Sequence, residues 1–161
     1  MEFYLRSFTK EGGMGITNLL MSLLATIFLF SSLGFAVQPD PRVTPGALCT
    51  AEDPDFDGNA YQEQIPHCNR NFNNSKKMAV ARVYNVPPNQ WSNYEFDHLI
   101  PLCAGGSNDV RNVWPEILSH AQLKDAVEDH VCSGMRSGLM TQKEAIATIF
   151  NWMRANGLKL E

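Results

Sequence analysis

Basic residues are scarce in this chain. It holds 13 Lys and Arg against 17 Asp and Glu, a formal net charge of −4 over 161 residues. A protein that only coats nucleic acid carries a basic surface, so the balance argues against that class. It leaves room for an enzyme that grips a few phosphates locally. A CxxC pair is absent, which argues against a structural zinc knuckle. Internal repeats are absent, and so are low-complexity segments beyond the N-terminal region. No charge falls between Gly12 and Pro39. Arg6 and Lys10 precede that stretch, its core Leu19 to Phe35 is strongly apolar, and Gly34-Phe35-Ala36 places small residues where a signal peptidase reads. The pattern predicts a signal peptide over 1–36, cut after Ala36. The alternative is an uncleaved membrane anchor, since the 22 residues from Ile16 to Val37 suffice to span a bilayer. Either way the basic end stays inside and the domain faces the far side of the membrane, so the expected location is secreted or periplasmic.

Setting aside Glu2, Arg6, Lys10 and Glu11 leaves 11 basic and 15 acidic residues in the 125 that follow Ala36. That length supports one small core. All four cysteines, Cys49, Cys68, Cys103 and Cys132, lie in it. An even count in a small exported domain reads as two disulfides. Four cysteines allow three connectivities, and spacing alone does not choose among them.

Residues 37–48 are Pro-rich and read as extended or mobile. The run Asp53, Asp55, Asp57, Gly58 has the order that opens a calcium loop, but position 64 is Gln where the closing Glu belongs; a solvated acidic loop is the better reading. A basic stretch follows with Arg70, Lys76, Lys77 and Arg82. Ser75 is expected to cap a helix there, ended by Asn85-Val-Pro-Pro88. Its charges read either as a solvated face or as a phosphate-tracking patch.

Tyr94 to Leu102 reads as a strand, Gly105-Gly106-Ser107-Asn108-Asp109 as a turn, and Val110 to Trp114 as a returning strand. Pro115 suits the first turn of a helix from about Glu116 to Val131, with Ile117, Leu118, Ala121, Leu123, Val127 and Val131 for its buried side and Ser133-Gly134 as its stop. Thr141-Gln-Lys-Glu144 is a capping box for a last helix that buries Ala145, Ile146, Ile149, Phe150 and Met153 and ends at Asn156-Gly157.

Chemistry concentrates in Tyr94 to Glu116. Asp97 and His98 interrupt an apolar run, where an unpaired charge is costly. Asn112 opens the returning strand, and His120 lies on the first turns of the helix. Acid, imidazoles and amide in one such unit suit a metal-dependent hydrolase. Asp97 is equally intelligible as half of a buried ion pair, Asn112 as a turn former, and His120, His67 and His130 as ordinary polar residues. In a regular strand Asp97 and His98 point to opposite faces; serving one site requires the strand to bend or end there.

The order Asp97-His98, 13 residues, Asn112, seven residues, His120 resembles the HNH nucleases of the ββα-metal superfamily. The runs D-H-L-I-P-L-x-x-G-G-S-N and N-V-W-P-E, with Lys124-Asp125 beyond, resemble a small exported bacterial subgroup. The likeness extends back to Ile65-Pro-His-Cys68 and covers most of the mature chain. It implies an α+β fold with a ββα-metal hairpin-plus-helix core (94–132), flanking helices, an HNH domain over 65–161, and a Pro-rich and acidic segment over 37–64. It also implies phosphodiester hydrolysis of nucleic acid, with DNA expected. In that reading His98 is the general base and Asn112 braces the loop and orients it. Asp97 and His120 hold one divalent cation, Mg or Mn foremost, Zn or Ni also accepted. Lys124, Arg70, Lys76 and Lys77 contact substrate. Cys103 and Val113 depart from the family pattern. Cys68 and Cys132 match family cysteines, which implies Cys68–Cys132 and leaves Cys49–Cys103; sequential pairing, Cys49–Cys68 with Cys103–Cys132, is the rival. No segment identifies an immunity-type partner. The competing function is a non-catalytic secreted module that keeps the fold and binds a polyanion or a partner.

Overall fold

A computed structural model describes residues 37–160 of the chain; the signal or anchor segment lies outside the described residues. The fold is α+β. Strands β1 (Phe56–Ala60) and β2 (Ile65–Cys68) form one antiparallel pair, and β3 (Tyr94–His98) and β4 (Val113–Ile117) form another. Helix α1 (Asn74–Val83) lies between the pairs in sequence, and α2 (Leu118–Arg136) and α3 (Gln142–Ala155) follow β4. Among the described residues no helix is long and apolar enough to cross a membrane.

The β3–β4 ladder runs in register from Tyr94 opposite Ile117 to His98 opposite Val113. Strand alternation then sorts the side chains. Phe96 and Val113 pack on Val80 and Ala81 of α1, with Val86 beside them. Trp114, on the other face, joins Leu99, Ile100, Val131, Met135, Ala145, Ile149 and Met153 in the core shared with α2 and α3. Full burial of a side chain such as Leu99 or Ile149 contributes about 1.5–3 kcal/mol, so this cluster dominates the apolar stabilisation.

Several elements differ from expectation. Asn73, not Ser75, caps α1: its Oδ1 accepts the N–H groups of Ser75 and Lys76. Strand β3 stops at His98, because residues 99–112 form a connection with short 3-10 turns at Leu102–Ala104 and Val110–Asn112. β4 accordingly begins at Val113 and carries Pro115 as a strand residue, so α2 starts only at Leu118. That shift exposes Ile117, Leu118 and Leu123, the last 60% accessible, and buries Ala121, Lys124, Val131 and Met135. Ser133-Gly134 does not end α2. A Cβ on Gly134 would come to 3.0 Å from Met140 Cβ, so the glycine admits close packing inside the helix, and Gly138 at φ 69° follows its end. The capping box of α3 forms as expected, with Ala145, Ile149 and Met153 buried.

The segment 37–64 belongs to the same compact unit as the other described residues. β1 pairs with β2, Leu48 bridges Gly106, and the N–H of Cys49 donates to Gly105 O. The disulfides are Cys49–Cys68 and Cys103–Cys132. This corrects the Cys68–Cys132 and Cys49–Cys103 pairing in favour of the sequential one. The β1–β2 hairpin carries Cys68 back towards Cys49, while Cys103 sits on the connection that packs against α2. Non-reducing peptide mapping is expected to recover these two pairs. Replacing Cys103 and Cys132 together by serine is expected to lower stability by about 2–4 kcal/mol in a urea melt.

Candidate functional site

The sequence leaves open whether Asp97 and His98 share a site, and the strand sets them on opposite faces. β3 stays regular through both residues, so they face opposite ways and enter two different polar clusters. Their one direct link is local: the His98 N–H donates to Asp97 Oδ1 at 2.8 Å.

The cluster on the α2 side gathers Asp97, Glu116, His120, Lys124 and Glu128. His120, Lys124 and Glu128 recur every fourth residue and so stack on one helix face. Lys124 is completely buried. Its Nζ donates to Asp97 Oδ2, to His98 O at 2.8 Å and to Glu128 Oε1 at 2.6 Å. Glu116 Oε2 stands 3.9 Å from the same ammonium. Glu116 Oε1 meets His120 Nδ1, and the His120 ring lies 4.9 Å from that of Trp152. Lys124 is therefore not a surface lysine. Three acceptors take its three donors inside the protein.

Burial sets the protonation of this cluster. It pushes Glu116 up to about 9, a shift that Lys124 opposes and the neighbouring Asp97 and Glu128 carboxyls reinforce. Burial also raises Glu128. For Asp97 burial acts upward and is the largest single influence, but the Lys124 charge and hydrogen bond together with the other polar neighbours outweigh it, and the carboxyl ends below its ordinary range. Burial, with help from Lys124, lowers His120. The neighbouring Asp97 and Glu128 carboxylates disfavour a further negative charge, so Glu116 is the acid that keeps its proton near pH 7.

On the other face His98 is 2% exposed. Burial lowers its pKa to about 4, with Arg70 and Lys124 pushing the same way against Asp97 and the Asn108 hydrogen bond. The imidazole is therefore neutral near pH 7, the form that accepts a proton. Its Nε2 faces Asn108 Oδ1 at 3.2 Å, and Nδ1 is buried with no partner. Asn112 closes the connection below it. Its Oδ1 accepts the Ile100 N–H at 3.0 Å, and its Nδ2 donates to Ile100 O and Ser107 O at 2.9 and 3.0 Å. Gly106 is required by the same knot, since a Cβ there would lie 1.9 Å from Ile100 O and 2.8 Å from Asn112 Nδ2.

Beside His98 runs an open groove of about 460 Å³ lined by Arg70, Phe72, Lys77, Trp91, Tyr94, Glu95, Phe96 and Leu118. Phe72, one of the lining residues, meets the His98 ring edge-on, with centroids 6.1 Å apart. Lys77 Nζ stands 6.0 Å from the Phe96 ring centre. Arg70 and Lys77 are thus brought together in a concave, aromatic-lined surface. Lys76 is not with them: it donates to Asp55 Oδ2 at 3.1 Å and Asn71 O at 2.9 Å.

A cation held by Asp97 and His120 meets a competitor in Lys124. Both Asp97 oxygens are engaged, Oδ1 by the His98 N–H and Oδ2 by Lys124, and Glu116 lies between Asp97 and His120. Glu116 and His120 place a carboxyl beside an imidazole, donor types that Mn or Zn accepts, with Glu116 Oε2 and His120 Nε2 buried without hydrogen-bond partners. Elsewhere, Cys49, Asp53 and Cys68 bring donor atoms within 4.8 Å of one another. The two sulfurs there are bonded to each other and are not thiolate ligands.

Asn108, Glu128, Asp55 and Phe72 carry site contacts that the sequence reading does not foresee. A signal existed for Glu128, the four-residue spacing from His120 through Lys124. Asn108 stands inside the G-G-S-N run but reads there as a turn residue. No protein-family model, curated protein or solved structure matches this chain.

Proposed function

We propose that this chain is an exported, metal-dependent endonuclease of the HNH, ββα-metal kind, hydrolysing phosphodiester bonds of nucleic acid with DNA as the expected substrate. One observation carries the reading. The β3–β4 hairpin carries a neutral, buried imidazole with its bracing amide on one face, beside a groove holding two cations and four aromatic rings, and a carboxyl–imidazole pair at the start of α2 on the other. Two disulfides suit an oxidising compartment, in line with export.

In this mechanism Arg70 and Lys77 take phosphates of the bound strand, and Phe72, Trp91 and Tyr94 offer faces to its bases. His98 accepts the proton of the attacking water. Asn112 keeps the connection fixed so that the imidazole does not drift during attack. Glu116 and His120 would hold a divalent cation, with the Asp97–Lys124 pair beside them; when bound it supplies stabilisation of charge on the phosphoryl oxygens and the leaving 3′ oxygen.

The protein beginning at Val37 is expected to nick and linearise plasmid DNA with Mg²⁺ or Mn²⁺, leaving 5′-phosphates, and EDTA is expected to stop it. His98→Ala should lower the rate by about 10²–10⁴-fold. Cleavage that survives EDTA, or none across a panel of divalent ions and nucleic acids, rejects the reading and favours a binding module without catalysis.

A further inference from the structure

The acidic segment before β1 reaches the imidazole. Asn108 makes four polar contacts, all to groups that define its orientation. Its Nδ2 donates to Asn69 O at 2.7 Å and to Asp55 Oδ2 at 3.0 Å. Its Oδ1 accepts the Asn71 N–H at 3.2 Å and faces His98 Nε2 at 3.2 Å. A backbone carbonyl only accepts and a backbone N–H only donates. The contacts to Asn69 and Asn71 therefore decide which end of the amide is oxygen. An oxygen facing Nε2 is an acceptor, so Nε2 carries the ring hydrogen and Nδ1 carries the lone pair.

Asp55 holds this amide in place and is itself fixed. Asn71 Nδ2 donates to its Oδ1 at 2.6 Å, and Lys76 Nζ to its Oδ2 at 3.1 Å. The loop that contains Asp55 is closed by the Cys49–Cys68 bridge and lies outside the 94–132 motif core.

We propose that Asp55 is a positioning residue: through Asn108 it holds His98 in the Nε2–H tautomer and leaves Nδ1 as the atom that takes the proton. The proposal rests on His98 being the general base. In the step it serves, a water O–H bond breaks and its proton passes to Nδ1. The water oxygen bonds to phosphorus, and the bond from phosphorus to the 3′ oxygen breaks with its electron pair leaving on that oxygen, which solvent then protonates. The ring becomes an imidazolium whose Nε2–H never leaves Asn108, so the amide needs no turn during the reaction.

Nitrogen-15 spectra of histidine-labelled protein read the tautomer directly and need no cleavage. The unsubstituted protein is expected to show a protonated, pyrrole-type Nε2 and a pyridine-type Nδ1 for His98. Asp55→Ala should mix the tautomers and lower kcat on plasmid DNA by about 10–100-fold, the usual scale for groups that orient a site's own residues, with KM unchanged. Asp55→Asn keeps an acceptor for Asn108 and should retain the tautomer and most of the rate. A hydrogen on Nδ1 in the unsubstituted protein overturns the proposal, and that result stands whether or not Asp55→Ala folds. An unchanged tautomer and rate in folded Asp55→Ala overturns it as well. If the tautomer responds as expected but no nucleic acid is cut, the hold of Asp55 on the ring is supported and the nuclease reading fails.

Discussion

Lys124→Met is expected to destabilise the protein by about 3–5 kcal/mol, the usual cost of removing one partner from a buried ion pair. The ammonium is completely buried and is the shared donor for Asp97, Glu128 and the main-chain oxygen of His98. Methionine fills the volume, so the loss is electrostatic and not a cavity effect. Two carboxyls would then sit in the interior without a counter-charge and would take up protons. Urea melts at constant pH give the size. Lys124→Met combined with Asp97→Asn should cost less than the sum of the single changes, because the second removes a charge that the first leaves unpaired. A loss below about 1 kcal/mol, the scale of a surface pair, would mean that the cluster does not depend on this cation.

The second large effect is a stability that falls as pH rises. Glu116 titrates near 4.5 when free and is pushed up to about 9 in the folded chain. Below the lower value both states hold the proton. Between the two values only the unfolded chain gives it up, so folding loses about 1.36 kcal/mol per pH unit, on the order of 6 kcal/mol across the window. His98 acts with the opposite sign. Its folded value is lowered from 6.5 to about 4, so stability is lost as pH falls through that interval, by about 3 kcal/mol on the same scale. Glu116→Gln should flatten the alkaline side in denaturant melts between pH 5 and 9 and leave the acid side in place. Equal stability of the unsubstituted protein at both ends of that range would refute the assignment. A divalent ion on Glu116 must displace the same proton, so titrating Mn²⁺ into weakly buffered protein near pH 7 should release about one proton, and the Gln variant should release none.

Local rules explain which parts of this fold were legible. The capping box Thr141 to Glu144 needs only four residues, and it formed as read. The hairpin and helix after it were legible because a turn signal separates two apolar runs. Their boundaries moved by two to five residues because Pro115 suits an edge strand as well as a helix start, and tertiary pairing with Phe96 decided between them. The burial of Lys124 is not legible, because charge implies surface in any pattern of hydrophobic spacing. Only the acids at Asp97 and Glu128 make its burial tolerable, and Asp97 is 27 residues away. Asp55 lies 53 residues from Asn108, and no local pattern ties an acidic turn to an imidazole over that distance. The disulfide pairing followed the β1–β2 hairpin, whose strands Phe56–Ala60 and Ile65–Cys68 were not expected as strands.

Pro115 has a consequence beyond its own element. A sheet of two strands has two edges, and an edge left open is a template on which another chain can add. Pro115 sits opposite Phe96 in this ladder, a place a proline can hold when its nitrogen points away from the partner strand. The outer edge of β4 is also closed by the chain itself: Val113 to Glu116 are buried, and Thr44 Oγ1 donates to Val113 O at 3.4 Å. The segment before β1 thereby guards the hairpin against edge-to-edge pairing with another chain.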